Sequence, residues 1–459
     1  MSGRLFPAVA VNALVAWSLL AFGGVYPWAG LPIVIGTALL ALVRPPRLGG
    51  SPATVVLDSC LLFALAAGLL QIVPMPPALV ARLSPNLAAF DAVTRVDAGL
   101  LGEASQTPRP LALAPGATQY TLALAAGMLL LFWTCRTMLA QGGIRRIVRA
   151  VSWLGLLVSL EAIVQGALSP GLIYGWWRPF EAGAQPLGPI VNRNHLATWI
   201  LLALPMTVGY LAAHLRSHRR DRLPRWSMPR LLRASDPRAV WLVVSGSLML
   251  LTLLLSQSRA AFVSLLISAA VGVWLGRRRL DAWSGWALAG YAVVALAVVA
   301  AWANFGGLVA RFDDLARTAS GGRAVIWHDT VAVIRDFWLT GVGAGGYPAA
   351  MAAFQVSMRG YFFNHAHSQY LQLATEGGLM VCAPAALAAA AFLRAAGERL
   401  RGDPSAISSV RVGAIAGICG VAAQSIWETG LSTPANGVLL AVAAAMALHR
   451  PVPTETART

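Results

Sequence analysis

The chain has 459 residues, of which 57% are hydrophobic and only 12% charged, and its mean hydropathy of +0.66 excludes an ordinary soluble globular protein. Its formal charge of +17 arises from 35 basic residues against 18 acidic ones, and every basic residue is an arginine. These arginines collect in particular loops rather than among aromatics on a soluble domain, so the charge reads as a membrane topology signal and no nucleic-acid partner is expected.

Lipid offers no water to backbone amides, so spans must be helices or a closed barrel, and long apolar runs select helices. The expected fold is all-α, a polytopic membrane protein of twelve transmembrane helices at 7–22, 29–43, 54–73, 118–140, 150–169, 195–215, 239–255, 260–275, 283–303, 376–393, 408–427 and 434–448. The first two and the last are short for a crossing of roughly 20 residues, which leaves counts of eleven or thirteen open. The first apolar run has no small-residue cleavage site before Pro27 and reads as a retained span. Asp58, Gln71, Glu161 and Gln165 fall inside spans, where interhelical hydrogen bonding is their default role. Cys60, Cys135, Cys382 and Cys419 also fall inside spans, as small apolar packing residues.

With twelve spans, one set of loops holds Arg4, Arg44, Arg47, Arg145, Arg146, Arg149, the group from Arg216 to Arg238, Arg277 to Arg279, Arg394, Arg399, Arg401, Arg450 and Arg458. By the positive-inside rule that side is the cytoplasm, with both termini there. The basic loop 216–238 is expected to lie against anionic headgroups.

Three outward segments are long. Residues 74–117 are proline-rich, with a short helix expected at 77–82, and read as a surface linker ahead of an acceptor-binding flap. Residues 170–194 carry Tyr174, Trp176, Trp177, Arg178 and Phe180, which suit an interfacial belt but also offer faces on which sugars stack. They end in Asn192, Arg193, Asn194 and His195 at a helix entrance, where Asn194 fits an N-cap or a ligand contact equally well. Residues 304–375 are the longest segment. Val325, Trp327, Val331, Ile334 and Trp338 recur there at helical spacing, so an amphipathic helix is expected to rest on the membrane domain with Arg323 in its first turn. The run 341–346 matches GxGxxG but lacks the strand and βαβ unit of a nucleotide site, so a flexible hinge is the expected use.

Taken in order, these residues resemble the O-antigen ligase and O-antigen polymerase superfamily. The resemblance covers Asn192-Arg193-Asn194-His195, Ser256-Gln257-Ser258-Arg259, Gly322-Arg323 with Trp327, and His367-Ser368-Gln369-Tyr370-Leu371 followed by Glu376-Gly377-Gly378. The family usually has asparagine where this chain has Ser368. The resemblance implies a GT-C-like fold divided into N-terminal spans (1–188), an O-antigen ligase-like core with the loop 304–375 (189–378), and C-terminal spans with a tail (379–459). It also implies a glycosyltransferase that takes its glycan from undecaprenyl diphosphate and needs no cofactor. The acceptor would be lipid A core in a ligase, or a growing polysaccharide in a polymerase. A twelve-span transporter or lipid flippase is the rival class, but its polar residues should gather near the membrane midplane rather than at one face.

The residues can supply the chemistry without the resemblance. Guanidinium forks suit phosphate oxygens, and Arg259, at an outward junction between spans, is the first candidate for the diphosphate, its alternative being an ion pair with Glu376 or Glu428. Arg323 and Arg193 follow as diphosphate ligands, with Asn194, Trp327 and His365 as further substrate-binding candidates. His367 is the candidate base for the acceptor hydroxyl. Glu376 is expected to orient a histidine or pair with an arginine, and is the alternative base. His365 and His367 have no supporting set at metal spacing, so no metal is expected.

Overall fold

The computed structural model describes residues 6–87, 90, 107–140, 142–181, 183–218, 236–277, 320–356, 359–401, 403 and 405–449. Fourteen α-helices occur among them: α1 (Phe6–Leu20), α2 (Pro27–Val43), α3 (Pro52–Leu70), α4 (Pro77–Leu83), α5 (Pro115–Leu139), α6 (Ile144–Leu168), α7 (Arg193–His218), α8 (Pro237–Leu255), α9 (Arg259–Gly276), α10 (Ser320–Asp336), α11 (Tyr347–Phe354), α12 (Gln369–Arg401), α13 (Ser408–Gln424) and α14 (Pro434–Ala447). Eleven of the twelve expected spans coincide with one of these helices, and the expected span 283–303 lies outside the described residues, as does most of the basic loop. Among the described residues, seven helices are long and apolar enough to cross a membrane, and four more are apolar but shorter. This is a polytopic membrane protein.

Helix starts follow local chemistry. Proline stands in the first turn of α2, α3, α4, α5, α8, α11 and α14, where its missing N–H costs nothing. Ser51 and Thr54 close a reciprocal capping box on α3.

Buried α7 forms the centre, with Leu196 to Leu204 enclosed on every side, and α6, α8, α9, α13 and α14 pack around it. Against α13 it runs antiparallel at backbone contact. A Cβ added to Gly209 would stand 2.4 Å from the Ser409 carbonyl, and one added to Gly413 2.1 Å from that of Pro205. Only glycine admits that approach, the usual device for holding helices together where no hydrophobic force acts between them.

The in-span polar residues behave largely as expected. Asp58 accepts from both Arg136 guanidinium nitrogens, at 2.8 and 2.6 Å, and from Trp133 Nε1 at 3.0 Å. Gln165 donates to the Leu172 carbonyl and accepts from Gly188 N. For the Glu161 carboxylate the interhelical bond is not found, since both oxygens are buried without a hydrogen-bonded side-chain partner. Phe22 and Tyr26 join Trp177 and Phe180 in one aromatic cluster, which leaves Trp176 and Phe180 exposed at its rim.

Two expectations for the long segments need correction. The segment 74–117 is more than a surface linker, because Met75, Val80, Leu87 and Leu111 share a separate small core with Val333, Phe337, Val342, Tyr347 and Met351. The α10 helix forms as expected, but Val333 and the following Phe337 are buried in this cap while Trp338 is left 57% exposed. Its buried stripe is therefore rotated from the expected one, because the partner is the cap rather than a flat bundle surface.

Candidate functional site

The N-terminus of α7 starts the site. Asn192 accepts the backbone N–H of Asn194 through Oδ1 at 2.9 Å, so Asn192 does the capping. The Asn194 side chain is thereby released and donates to Glu428 Oε1 at 3.0 Å. Glu428 stands in the turn between α13 and α14, where Arg323 of α10 donates to the same oxygen at 2.8 Å. Glu428 is 3% exposed whereas Arg323 is 37% exposed, so the guanidinium can still meet a ligand. Burial pushes the Glu428 carboxyl up to about 6, against the opposing pull of Arg323.

His365 and His367 flank Ala366, whose backbone is held on both sides. Its carbonyl accepts from Trp327 Nε1 at 2.9 Å, and its N–H donates to Gln372 Oε1 at 2.8 Å. Trp327 thus ties α10 to the histidine segment. His367 adopts a left-handed φ of 49°, and Ser368 then accepts the N–H of Leu371 at the start of α12. Serine is a favoured N-cap residue, and Ser368 takes that role at α12. Burial depresses the His367 imidazole below its ordinary value, and the Arg323 charge adds to the effect. His365 is pushed down to about 4, by burial and then by His367. His195, on α7, bonds to Thr433 Oγ1 at 2.6 Å and feels both histidines electrostatically.

Arg259 opens α9 after a sharp turn in which Gln257 takes φ 54° and Ser258 accepts the Ala261 N–H. Its side chain is exposed, and among the described residues it has no ion-pair partner. The alternative pairing with Glu376 or Glu428 is not found among the described residues, where Glu428 holds Arg323 and Glu376 is bound elsewhere. Arg193 Nη1 donates to Gln257 Oε1 at 3.3 Å, which links the α7 entrance to the Arg259 turn.

Glu376 lies two turns inside α12 rather than at its entrance, because the helix starts at Gln369. Its carboxylate accepts from Gln372 Nε2 at 2.6 Å and faces the backbone N–H groups of Gly345 and Tyr347. It pairs with no arginine among the described residues and reaches the histidine segment only through Gln372 and Ala366. The glycine run 341–346 is a clamp where a hinge was expected. Val342 N and Gly343 N donate to the carbonyls of Thr375 and Glu376, and Gln71 Nε2 donates to those of Thr340 and Glu376. A Cβ on Gly341 would stand 2.4 Å from the Glu376 carbonyl oxygen, and one on Gly378 2.4 Å from Gly341 N. The Gly378 φ of 55° interrupts α12 at this contact.

The site therefore brings together Arg193, Asn194, Arg323, His365 and His367, connects to the Arg259 turn through Gln257, and leaves Glu376 and Trp327 behind the histidine segment as supports. Sequence reasoning named Glu428 only as an alternative partner for Arg259 rather than as the hub, and it missed Gln372 as the relay. The signal for Glu428 was a carboxylate directly after Trp427, at the end of an apolar span. Among the described residues no three His, Cys, Asp or Glu side chains group as metal ligands would.

Residues 244–386, which begin within α8 and end within α12, match the family model of O-antigen ligase. The matched stretch contains Arg259, Arg323, Trp327, His365, His367 and Glu376, and it supports the O-antigen ligase superfamily for this chain. No curated protein matches the chain.

Proposed function

We propose that this chain, a protein of the O-antigen ligase superfamily, moves a glycan from undecaprenyl diphosphate to lipid A core at the periplasmic face of the bacterial inner membrane. The observation that carries the reading is one continuous set of contacts. From the turn at Arg259 it runs through Gln257 to Arg193, then from the adjacent Asn194 through Glu428 to Arg323, whose charge acts on His367. One cationic fork, Arg323, thus stands near the His367 imidazole, and Arg193 and Arg259 are linked to it through this set of contacts, at the end of the bundle away from the arginine-rich loops.

In the proposed reaction the acceptor oxygen attacks the anomeric carbon, its proton passes to His367, and the bond from that carbon to the diphosphate oxygen breaks. Arg259 and Arg323, with Arg193 beside them, hold the negative charge left on undecaprenyl diphosphate. Direct displacement inverts the anomeric configuration and requires no metal. A depressed imidazole is proton-free at neutral pH and therefore able to accept. When the diphosphate engages Arg323, Glu428 keeps the hydrogen bond from Asn194.

Purified protein given an undecaprenyl-diphosphate glycan, with and without lipid A core, tests the reading on product gels. Transfer to the core supports the ligase. Ladders formed without core assign the chain to repeat-unit polymerisation instead. Inactivity on several donors, with binding and release of the lipid intact, points to transport.

A further inference from the structure

At the opposite end of the bundle, α6, α7 and α8 enclose a cavity of about 390 Å³ that has no part in the site above. Its walls combine two guanidiniums, Arg149 and Arg238, with the rings of Trp153, Trp241 and Tyr210 and the His214 imidazole. The two indoles stack at 4.7 Å between centroids, which fixes the wall between α6 and α8. His214 Nε2 bonds to Asp236, and Asp236 also accepts the Arg238 backbone N–H, so the acidic residue beside the cavity is engaged within the protein. Arg149 and Arg238 are exposed at the mouth, and neither has an ion-pair partner among the described residues. Among the described residues, therefore, no carboxylate neutralises either guanidinium of the cavity.

The surface leading from the cavity is apolar. Trp153, Leu157, Leu160 and Val164 are exposed at helical spacing along α6, and Val240, Val243 and Val244 are exposed on α8. A ligand that matches both features carries an anion at one end and hydrocarbon at the other. We propose that the cavity binds the phosphate headgroup of an anionic phospholipid, with phosphate oxygens on Arg149 and Arg238 and acyl chains along the α6 and α8 ridges. Free phosphate shares the headgroup chemistry but would leave the ridges unused. This inference does not depend on the transfer reaction proposed above.

The test is native mass spectrometry of the full chain in detergent, offered phosphatidylglycerol, cardiolipin or phosphatidylethanolamine, with inorganic phosphate as a competitor. Retention of the two anionic lipids over the zwitterionic one is expected, weakening roughly five-fold for each arginine neutralised in Arg149→Gln and Arg238→Gln. Equal retention by the folded double variant, or equal retention of phosphatidylethanolamine, overturns the proposal. So does displacement of phosphatidylglycerol by inorganic phosphate at comparable concentration, which assigns the cavity to a free ion. If the double variant does not fold, the single variants still decide, since each removes one exposed charge.

Discussion

At the scale of single residues, the proposed reaction depends on an imidazole whose proton affinity is lowered by burial and by the neighbouring Arg323. His367→Ala is expected to lower transfer by roughly 10²–10⁴-fold while leaving the melting temperature near that of the parent. Because burial first and Arg323 second depress His367, activity should rise with pH through a value below the ordinary histidine range and stay flat above it. The sign follows from the base role, since a proton bound to His367 blocks acceptance of another. Arg323→Gln removes the cationic neighbour, so the acid limb of kcat/KM should move to higher pH; an unmoved limb measured in the same assay refutes the coupling. Arg259 predicts a different signature. Arg259→Ala should raise the KM for donor by about 10–100-fold, the worth of a charge-assisted hydrogen bond. Arg259→Lys should recover only part of this loss, because an ammonium cannot span two phosphate oxygens.

At the scale of elements, the histidine segment owes its place to hydrogen bonds from two helices. Trp327 of α10 and Gln372 of α12 hold opposite sides of the Ala366 peptide. Trp327→Phe keeps the aromatic bulk and loses the bond, so kcat should fall while donor KM and stability change little, the latter by about 1 kcal/mol. A rise in KM with kcat intact would place Trp327 on substrate instead. The glycine clamp fixes the same region from below. Gly341 has φ +66° and backbone atoms of Glu376 where a Cβ would go, so Gly341→Ala should cost on the order of 1–3 kcal/mol, read as a lowered melting temperature in detergent. A flexible hinge would tolerate the alanine, and an unchanged melting curve would restore that reading.

At the scale of the whole molecule, arginines mark one end of the bundle and the candidate site the other. Arg216 of α7 reaches Ser408 and Ser409 at the start of α13, while Asn194 at the other end of α7 reaches Glu428 beyond the end of α13. Labelling checks the orientation. In a functional background lacking the native cysteines, Gly360→Cys, on the exposed loop before His365, should react with an impermeant thiol reagent added to the periplasmic side. Arg145→Cys, exposed at the start of α6, should react only after the membrane is opened. The reverse pattern would invert the proposed topology and place the site in the cytoplasm.

Much of this was legible in the amino-acid order, and the division has a physical basis. Hydrocarbon demands about 20 apolar residues per crossing, so composition and run length alone determined the helical membrane fold and eleven spans that coincide with helices. Arg323, Asn194 and His367 also stood out as candidates, because polar and charged groups gathered in outward segments between apolar spans invite a role. Which groups meet is a different matter. Glu428 joins Arg323 across 105 positions, and Gln71 joins Glu376 across 305. The burial stripe of α10 turned toward a cap that includes Met75, Val80, Leu87 and Leu111, and no periodicity within α10 records the direction of its partner. Hydrophobic period and turn chemistry are local and so survive in sequence, whereas hydrogen-bond partners, the face a helix buries and the approach of one backbone to another arise only when distant segments pack.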